Sequence, residues 1–383
     1  MELYVHIPFC VKKCDYCDFL SEAYDADIRA KYTDALCAEI RLCAAALPGR
    51  HIESVFIGGG TPSWLELPLM EKILDAIDTS FSIDLQAEYT IEVNPGTVDT
   101  AQFKVYRTYG INRISIGLQS ANDDELKLLG RIHDYNRFLH TFEYARNAGF
   151  TDINIDIMTG LPGQTPAKLL NTIRQVTRLF PSHISAYALM IEEGTPFYID
   201  YRFGQLQLPA WEENRRMYHY AVCAVKAAGY HHYEVSNAAK PGFECRHNLK
   251  YWLLEDYLGF GASAASNVGR QRFTLLPDAE GYIAALESGG ELLSEAEELS
   301  PLDRAAEYVM LGLRTTHGIE KEEYERLFRA PFAPLETLLE GYLRLGLARQ
   351  TEERWRFTPR GFLLSNQLIG ELLDAQAEQR YRA

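Results

Sequence analysis

Cys10-Val11-Lys12-Lys13-Cys14-Asp15-Tyr16-Cys17 sets three cysteines in a C-x3-C-x2-C run near the start of a chain of 383 residues. Three thiolates this close in sequence can grip one face of an iron–sulfur cube, and a [4Fe–4S] cluster ordinarily takes four such ligands. No fourth cysteine follows nearby, and Phe19 stands where a further C-x-C step would put one. One iron is therefore expected to lack a protein ligand, which leaves a coordination position for a small molecule. Zinc competes for the same residues, since C-x2-C pairs are zinc ligands, although zinc sites usually combine two such knuckles. Spacing alone leaves the two readings open. Disulfides are not expected, because a disulfide framework belongs to small secreted domains and no signal peptide or long apolar run is present.

Composition narrows the setting. Hydrophobic residues make up 47% of the chain, enough for a full-size core and too many for a disordered one. The formal net charge of -15 argues against a nucleic-acid backbone or an anionic membrane surface as the main partner. Seven cysteines without a secretion signal point to a reducing, cytoplasmic setting. The first strand-like run begins too early to leave room for a targeting peptide.

Outward from the cysteines, short apolar runs alternate with longer helical patterns. Leu3–Ile7 ends near Cys10, and Ser54–Ile57, Tyr89–Val93, Arg113–Gly117, Asp152–Asp156 and His183–Tyr187 follow. Helical stretches separate them, among them 28–46 and 69–78. This alternation predicts an α/β fold with a parallel sheet and right-handed crossovers. Six units over roughly 200 residues suit a partial (β/α)6 barrel, because a closed eight-fold barrel usually needs about 250. A flat doubly wound sheet is the alternative, and in both the ligand site lies at the carboxyl ends of the strands. The unusual residues fall there: the cysteines, then Gly58-Gly59-Gly60-Thr61-Pro62, then Glu92, Gln119 and Asp156. Polar groups converging on one rim suggest a site. The glycines would let backbone approach a ligand, or merely make a tight turn; they match neither a Walker A loop nor G-x-G-x-x-G.

Past residue 290 the texture changes. Glu295, Glu297 and Glu298 read as an acidic, solvated stretch. Helical patterns over 301–315, 321–328 and 334–345 lead to a β-like close between Leu347 and Phe357 and a final helix over 360–373. Together they read as a mainly helical, winged-helix-like domain whose glutamates favour an interaction or lid role over DNA binding. The expected domains are 1–235 for the barrel, 236–290 for an extension and 291–383 for the C-terminal domain.

The cysteine run, with Tyr16 just before its last cysteine, together with the glycine run after the second strand, resembles the radical SAM superfamily. That resemblance covers roughly the six-unit barrel. It implies a [4Fe–4S] cluster held by Cys10, Cys14 and Cys17, with S-adenosylmethionine chelating the fourth iron. Finer stretches resemble the oxygen-independent coproporphyrinogen III dehydrogenase (HemN) family: Tyr4-Val5-His6-Ile7-Pro8-Phe9-Cys10, Glu92-Val93-Asn94-Pro95, Gly117-Leu118-Gln119-Ser120, Leu129-Gly130-Arg131-Ile132-His133 and Asp156–Thr165. The implied S-adenosylmethionine contacts are Tyr4, Tyr16, Gly59, Gly60, Thr61, Glu92, Gln119, Arg131 and Asp156. Carboxylates there can accept from an ammonium or ribose hydroxyls, and Arg131 can pair with a carboxylate. Without the resemblance, Arg131 would read as a surface salt-bridge residue and Asp156 as a helix cap or a ligand.

Two departures separate this chain from the dehydrogenase. Asp18-Phe19 stands where the dehydrogenase carries another cysteine, and the segment before the first strand is too short for its N-terminal extension. Both resemble instead the HemW branch, a haem-chaperone family, as does His247-Asn248-Leu249-Lys250-Tyr251-Trp252, read as H-N-x-x-Y-W. That resemblance implies haem as a ligand. It also implies a haem-acceptor protein, with a membrane-bound haem protein among the options, an electron donor for the cluster, and a homodimer among the assembly states. No nucleic-acid partner is expected. A neutral imidazole is the commonest axial haem ligand, and Tyr251 and Trp252 offer flat faces for a porphyrin. Read from the residues alone, the same motif is a core cluster. Cys245 is a rival ligand; His133, His231 and His232 are weaker ones. Cys37, Cys43 and Cys223 are expected to pack as small hydrophobes. The alternative function is radical decarboxylation of coproporphyrinogen III or another radical reaction on a tetrapyrrole.

Overall fold

The computed structural model of the chain describes residues 1–380. Its frame is six parallel strands in sequence order, β1 (Glu2–Ile7), β2 (His51–Gly59), β3 (Ser82–Val93), β4 (Arg113–Gln119), β5 (Asp152–Thr159) and β6 (His183–Ala188). Between them run α1 (Ala26–Ala46), α2 (Leu67–Ser80), α3 (Thr100–Thr108), α4 (Asp123–Leu128), α5 (Tyr135–Asn147) and α6 (Pro166–Thr177). The expected 69–78 helix is two residues longer at each end.

Alternation along the strands explains the layering. Leu3, Val5 and Ile7 register with Val55, Ile57 and Gly59, and Ile91 with Ile114 and then Ile153. Apart from Gly59, these residues are buried in one aliphatic cluster with Leu36, Ile40, Ile73 and Ile173 of the helices. Because side-chain direction alternates with period two, the opposite face carries Tyr4, His6, Phe56, Glu88, Glu92, Arg113, Ser115, Asn154 and Asp156. A closed eight-stranded barrel fills that interior with branched aliphatics; here it is polar.

The sheet grows beyond the six strands at both edges. After α7 (Pro196–Arg202) and α8 (Trp211–Ala227) come β7 (His231–His232) and β8 (Asn237–Ala239), which pair antiparallel next to β6. The chain then crosses back through α9 (Arg246–Trp252) to β9 (Tyr257–Phe260), which joins β1 in parallel. β10 (Ala265–Val268), β11 (Gln271–Leu275) and, past α10 (Ala279–Ser288), β12 (Leu293–Glu298) extend that edge antiparallel. Among the described residues the sheet has twelve strands, and its outermost two, β12 and β7, do not pair, so it is not a closed barrel. The acidic stretch read as solvated is exposed throughout, yet it forms β12. Its glutamates suit an edge strand, where charge discourages pairing with another chain.

The C-terminal region is mainly helical: α11 (Pro301–Gly312), α12 (Lys321–Phe328), α13 (Ala333–Arg344), α14 (Pro359–Phe362) and α15 (Ser365–Arg380). β13 (Ile319–Glu320), β14 (Ala348–Thr351) and β15 (Arg354–Phe357) make a small separate sheet. Its core, around Trp355, Phe332 and Leu339, is distinct from the barrel core. α11 begins with a capping box in which Ser300 and Asp303 satisfy each other's backbone. Thr316 N donates to Tyr233 O at 2.9 Å, and Arg304 Nη2 to Leu254 O at 3.1 Å, which tie the region to the barrel.

Candidate functional site

The cysteine loop leaves β1 without regular structure and is pinned from three sides. Cys10 N donates to Glu22 O at 3.0 Å, Asp15 N to Leu129 O at 3.3 Å, and Phe197 N to Asp15 O at 2.9 Å. Tyr16 packs against the Phe197 ring of α7, with centroids 6.4 Å apart. The loop and the strand ends enclose a cavity of about 360 Å³. Cys10, Cys14, Tyr16, Cys17, Gly59, Gly60, Thr61, Glu92, Gln119, Arg131 and Asp156 all line it. Of the expected S-adenosylmethionine contacts, Tyr4 alone lies elsewhere.

The glycines are there for clearance. A Cβ on Gly60 would stand 2.8 Å from Phe9 O and 3.0 Å from Cys10 Sγ. A Cβ on Gly59 would meet the His6 ring at 2.8 Å, and its φ of +115° disfavours any side chain. Gln119 has φ 70° without being glycine, beside a register shift at the end of β4. Such a conformation costs energy and is held by its surroundings; Tyr187 Oη donates to Gln119 Oε1 at 2.6 Å.

Burial dominates the electrostatics. It pushes the thiols of Cys10 and Cys17 up, against the ionised form that binds metal. Burial and then the charge of Asp156 push the Glu92 carboxyl up to about 8. Asp156 is also raised by burial, although Ser115 Oγ at 3.0 Å and Asn154 Nδ2 at 2.7 Å donate to it. Arg131 donates from Nη2 to Asn94 Oδ1 at 2.5 Å and Gly117 O at 2.8 Å, and its Nη1 lies 3.6 Å from Cys14 Sγ. No carboxylate among the described residues pairs with it, which sets aside the surface salt-bridge reading.

The thiol spread bears on the metal. Three thiolates on one zinc at about 2.3 Å would lie roughly 3.8 Å apart. Among the described residues, the ligand groups that gather within 4.8 Å are Glu2 with Glu53 and Glu255, and Glu320 with Glu322 and Glu353. The three cysteines are not gathered so closely, so their side chains are not placed as a single zinc ion would hold them. Three thiols, a guanidinium without a carboxylate partner, two carboxyls short of counter-charge and a glycine cradle fit a cluster together with an amino-acid-bearing ligand.

A larger cavity of about 920 Å³ adjoins the first, and Phe19 and Glu92 line both. Tyr4, His6 and Phe56 supply one wall, Tyr257 and Arg272 another, and Leu311 of α11 reaches in from the C-terminal region. Tyr4 sits here because it lies a full pleat before His6 on β1, away from the cysteine loop; its Oη is 3.0 Å from His6 Nδ1. The remaining wall is α9, which carries the H-N-x-x-Y-W residues. Glu88 clamps its start, accepting from Arg246 N at 2.8 Å and His247 N at 3.1 Å. A carboxylate suits a helix N-terminus, where amides lack intrahelical acceptors.

His247 borders this cavity but is 1% exposed. Its Nδ1 lies 2.6 Å from Ser54 Oγ and its Nε2 2.6 Å from Tyr251 Oη. Burial, then the charge of Arg113, push its pKa down to about 3, so the imidazole is neutral. Trp252 and Asn248 face the cavity with no side-chain hydrogen bond among the described residues. Cys245 is fully buried, with Sγ donating to Glu88 Oε1 at 3.3 Å, and is not on the cavity wall. His133 lies behind Arg131 with Nε2 3.3 Å from Leu118 O. His231 and His232 line a separate cleft. Cys37 is buried and Cys43 half-buried in α1, but Cys223 is exposed on α8, contrary to the expected packing.

Against known proteins, residues 4–176 match the radical SAM superfamily and 299–364 match the HemN C-terminal domain. The protein named "Heme chaperone HemW" of Bacillus subtilis (strain 168) is 35% identical over 97% of this chain and 98% of its own length. The Escherichia coli (strain K12) protein of the same name is 35% identical over 96% and 97%. The chain belongs to the HemW family. Among solved structures, Escherichia coli coproporphyrinogen III oxidase (HemN), described as a radical SAM enzyme, superposes with a TM-score of 0.84 at 26% identity. That match covers 98% of this chain and 89% of the other.

Within this HemW-family chain, sequence reasoning passed over several groups. Asn94 bridges the thiol cavity, donating to Thr61 Oγ1 at 2.6 Å while accepting from Arg131. It stood inside a family-like motif without a role. His6 likewise stood inside a family-like stretch without a role, and Phe56, Tyr257 and Leu311 carried no site signal, because nothing local marks a residue as lining a cavity between distant segments. Among the described residues, no helix is long and apolar enough to cross a membrane.

Proposed function

We propose that this chain is a cytoplasmic haem chaperone that holds haem in the larger cavity and passes it to an acceptor protein. The observation that carries the reading is the placement of the H-N-x-x-Y-W helix. It forms one wall of a cavity of about 920 Å³ that shares Phe19 and Glu92 with the three-thiol cavity. Trp252, Tyr251 and Phe56 offer ring faces to a porphyrin, Asn248 offers a donor to its carboxylates, and Arg272 adds the N–H groups that its pairing with Glu307 at 2.7 Å leaves. The curated relatives' name supports the same assignment.

In this reading Cys10, Cys14 and Cys17 hold a [4Fe–4S] cluster. Arg131, Glu92, Asp156, Gln119 and the Gly59–Thr61 turn hold S-adenosylmethionine beside it. The pair, when bound, supplies one-electron chemistry at the sulfonium, and a separate electron donor is required. The residues themselves do the positioning. Arg131 holds a carboxylate while Asn94 fixes its guanidinium. Glu92 and Asp156 ionise against an ammonium or accept from hydroxyls, and Tyr187 fixes the Gln119 amide. His247 keeps Tyr251 aimed along the wall. Its Nε2 reaches an iron only after leaving Tyr251 Oη.

Haem titration of the purified protein tests this. Trp252→Ala is expected to weaken haem roughly ten-fold or more, the loss of one stacked aromatic. An unchanged affinity in both Trp252→Ala and His247→Ala would remove the larger cavity from the reading. The likeness to coproporphyrinogen III oxidase favours a second reading, decarboxylation of coproporphyrinogen III. Formation of protoporphyrinogen with S-adenosylmethionine and a reductant, under anaerobic conditions, would establish it instead.

A further inference from the structure

A third cavity lies away from both of these, in the cleft between α8 and the C-terminal region, and encloses about 410 Å³. One wall is a single face of α8, where Tyr218, Val222 and Lys226 recur at helical spacing. The opposite wall crosses the junction: Arg349 of β14, Phe357 of β15 and Phe362 of α14. The floor is aromatic. Phe357 and Phe362 are buried, and Phe362 meets the His232 ring edge-on at 5.6 Å. The rim is cationic. Lys226 and Arg349 are exposed, stand on opposite walls, and pair with no carboxylate among the described residues. Among the described residues no Asp or Glu lines the cleft, in a chain whose net charge is -15.

Two unpaired cations on opposite walls of a cleft lined mainly by apolar and aromatic side chains select an occupant that is anionic at its edge and apolar across its body. An inorganic anion would satisfy the rim and leave the aromatic floor wet. A neutral apolar molecule would cover the floor and leave the cations unmatched. We propose that this cleft is a binding site for a flat apolar ring system bearing carboxylates, the chemistry of a porphyrin. The ring lies against Tyr218, Val222 and Leu363, which are partly exposed, and the carboxylates meet Lys226 and Arg349. The site is separate from the cavity under α9; the choice of probe and the second class of binding expected below rest on the haem reading.

Metal-free protoporphyrin IX titrated into the full chain, followed by its fluorescence, tests the site. The unaltered protein is expected to show two classes of binding. The double variant Lys226→Glu/Arg349→Glu is expected to weaken one class ten-fold or more, the effect of removing one charge-assisted hydrogen bond, and to leave the other class unchanged. Trp252→Ala is expected to affect only the other class. Both reversed positions are exposed, so the fold is not at stake, and a thermal melt verifies that. A single class indifferent to the double variant, or two classes both indifferent to it, would overturn the proposal. Displacement of the charge-sensitive class by an equal concentration of oleate would overturn it as well, because a flexible acyl carboxylate would then serve. A silent Trp252→Ala beside an effective charge reversal would count against the haem cavity and leave this cleft standing.

Discussion

The thiol cavity and the larger cavity share a wall at Phe19 and Glu92, yet they are assembled in opposite ways. The thiol cavity gathers the carboxyl ends of consecutive strands: the loop after β1, the glycines ending β2, Glu92 of β3, Gln119 of β4, Asp156 of β5 and Tyr187 of β6. The larger cavity joins β1 and β2 to β9 and β11, to α9, and to α11 of another hydrophobic core. The first is a product of the repeating unit. The second exists because a later segment crosses back under the barrel and is clamped there by Glu88.

If the two sites are separable in this way, variants should divide cleanly between them. Cys14→Ala should have the largest effect, because two thiolates cannot hold the cube. Reconstituted iron should fall from about four per chain to near zero, while haem binding persists. A full iron complement in that variant would undo the assignment of the cysteine loop.

Next in size is Glu88→Gln. An amide cannot accept from two helix N–H groups as the carboxylate does, and the cost should be about 2 kcal/mol in denaturant unfolding. Haem affinity should drop as α9 loosens, with iron content unchanged. Equal loss of iron and haem would mean that the two cavities are not independent.

The smallest effect tests the shared wall. The Glu92 carboxyl is raised from 4.5 to about 8, so the folded state binds its proton more tightly than the unfolded chain does. Its contribution is fully present below pH 4.5 and is lost as the pH rises through about 8. Glu2, Glu39 and Glu234 act in the same direction, but only up to about 7. The decline in melting temperature of cofactor-free protein as the pH rises toward 8, to which the raised Asp156 also contributes, should therefore be shallower in Glu92→Gln. An identical slope in the variant would show that Glu92 ionises normally.

Legibility followed the same division. The six strands were readable because each is a short β-branched run between helical patterns. β7 and β9–β12 were not, since they are short, polar or edge-bound, and β12 is a row of glutamates that reads as solvent. Arg131 could not be placed by its residue type. A guanidinium is ordinarily a surface group, and its contact with Cys14 arises from a turn more than a hundred positions away. His247 was readable as a motif, but its two occupied ring nitrogens were not. They depend on Ser54 of β2 and Tyr251 one helical turn on.

By itself the sequence determined the cysteine loop, the strand–helix repeat and therefore the rim on which the polar residues converge. Those follow from local spacing and from the handedness of parallel crossovers, which allow few arrangements. The tertiary structure decided which groups lie beside which: Arg131 by Cys14, Tyr4 on the larger cavity, Phe19 between two sites, and Lys226 opposite Arg349. Such pairings cost nothing locally and are fixed only when distant segments pack, so no stretch of chain carries them in its own residues.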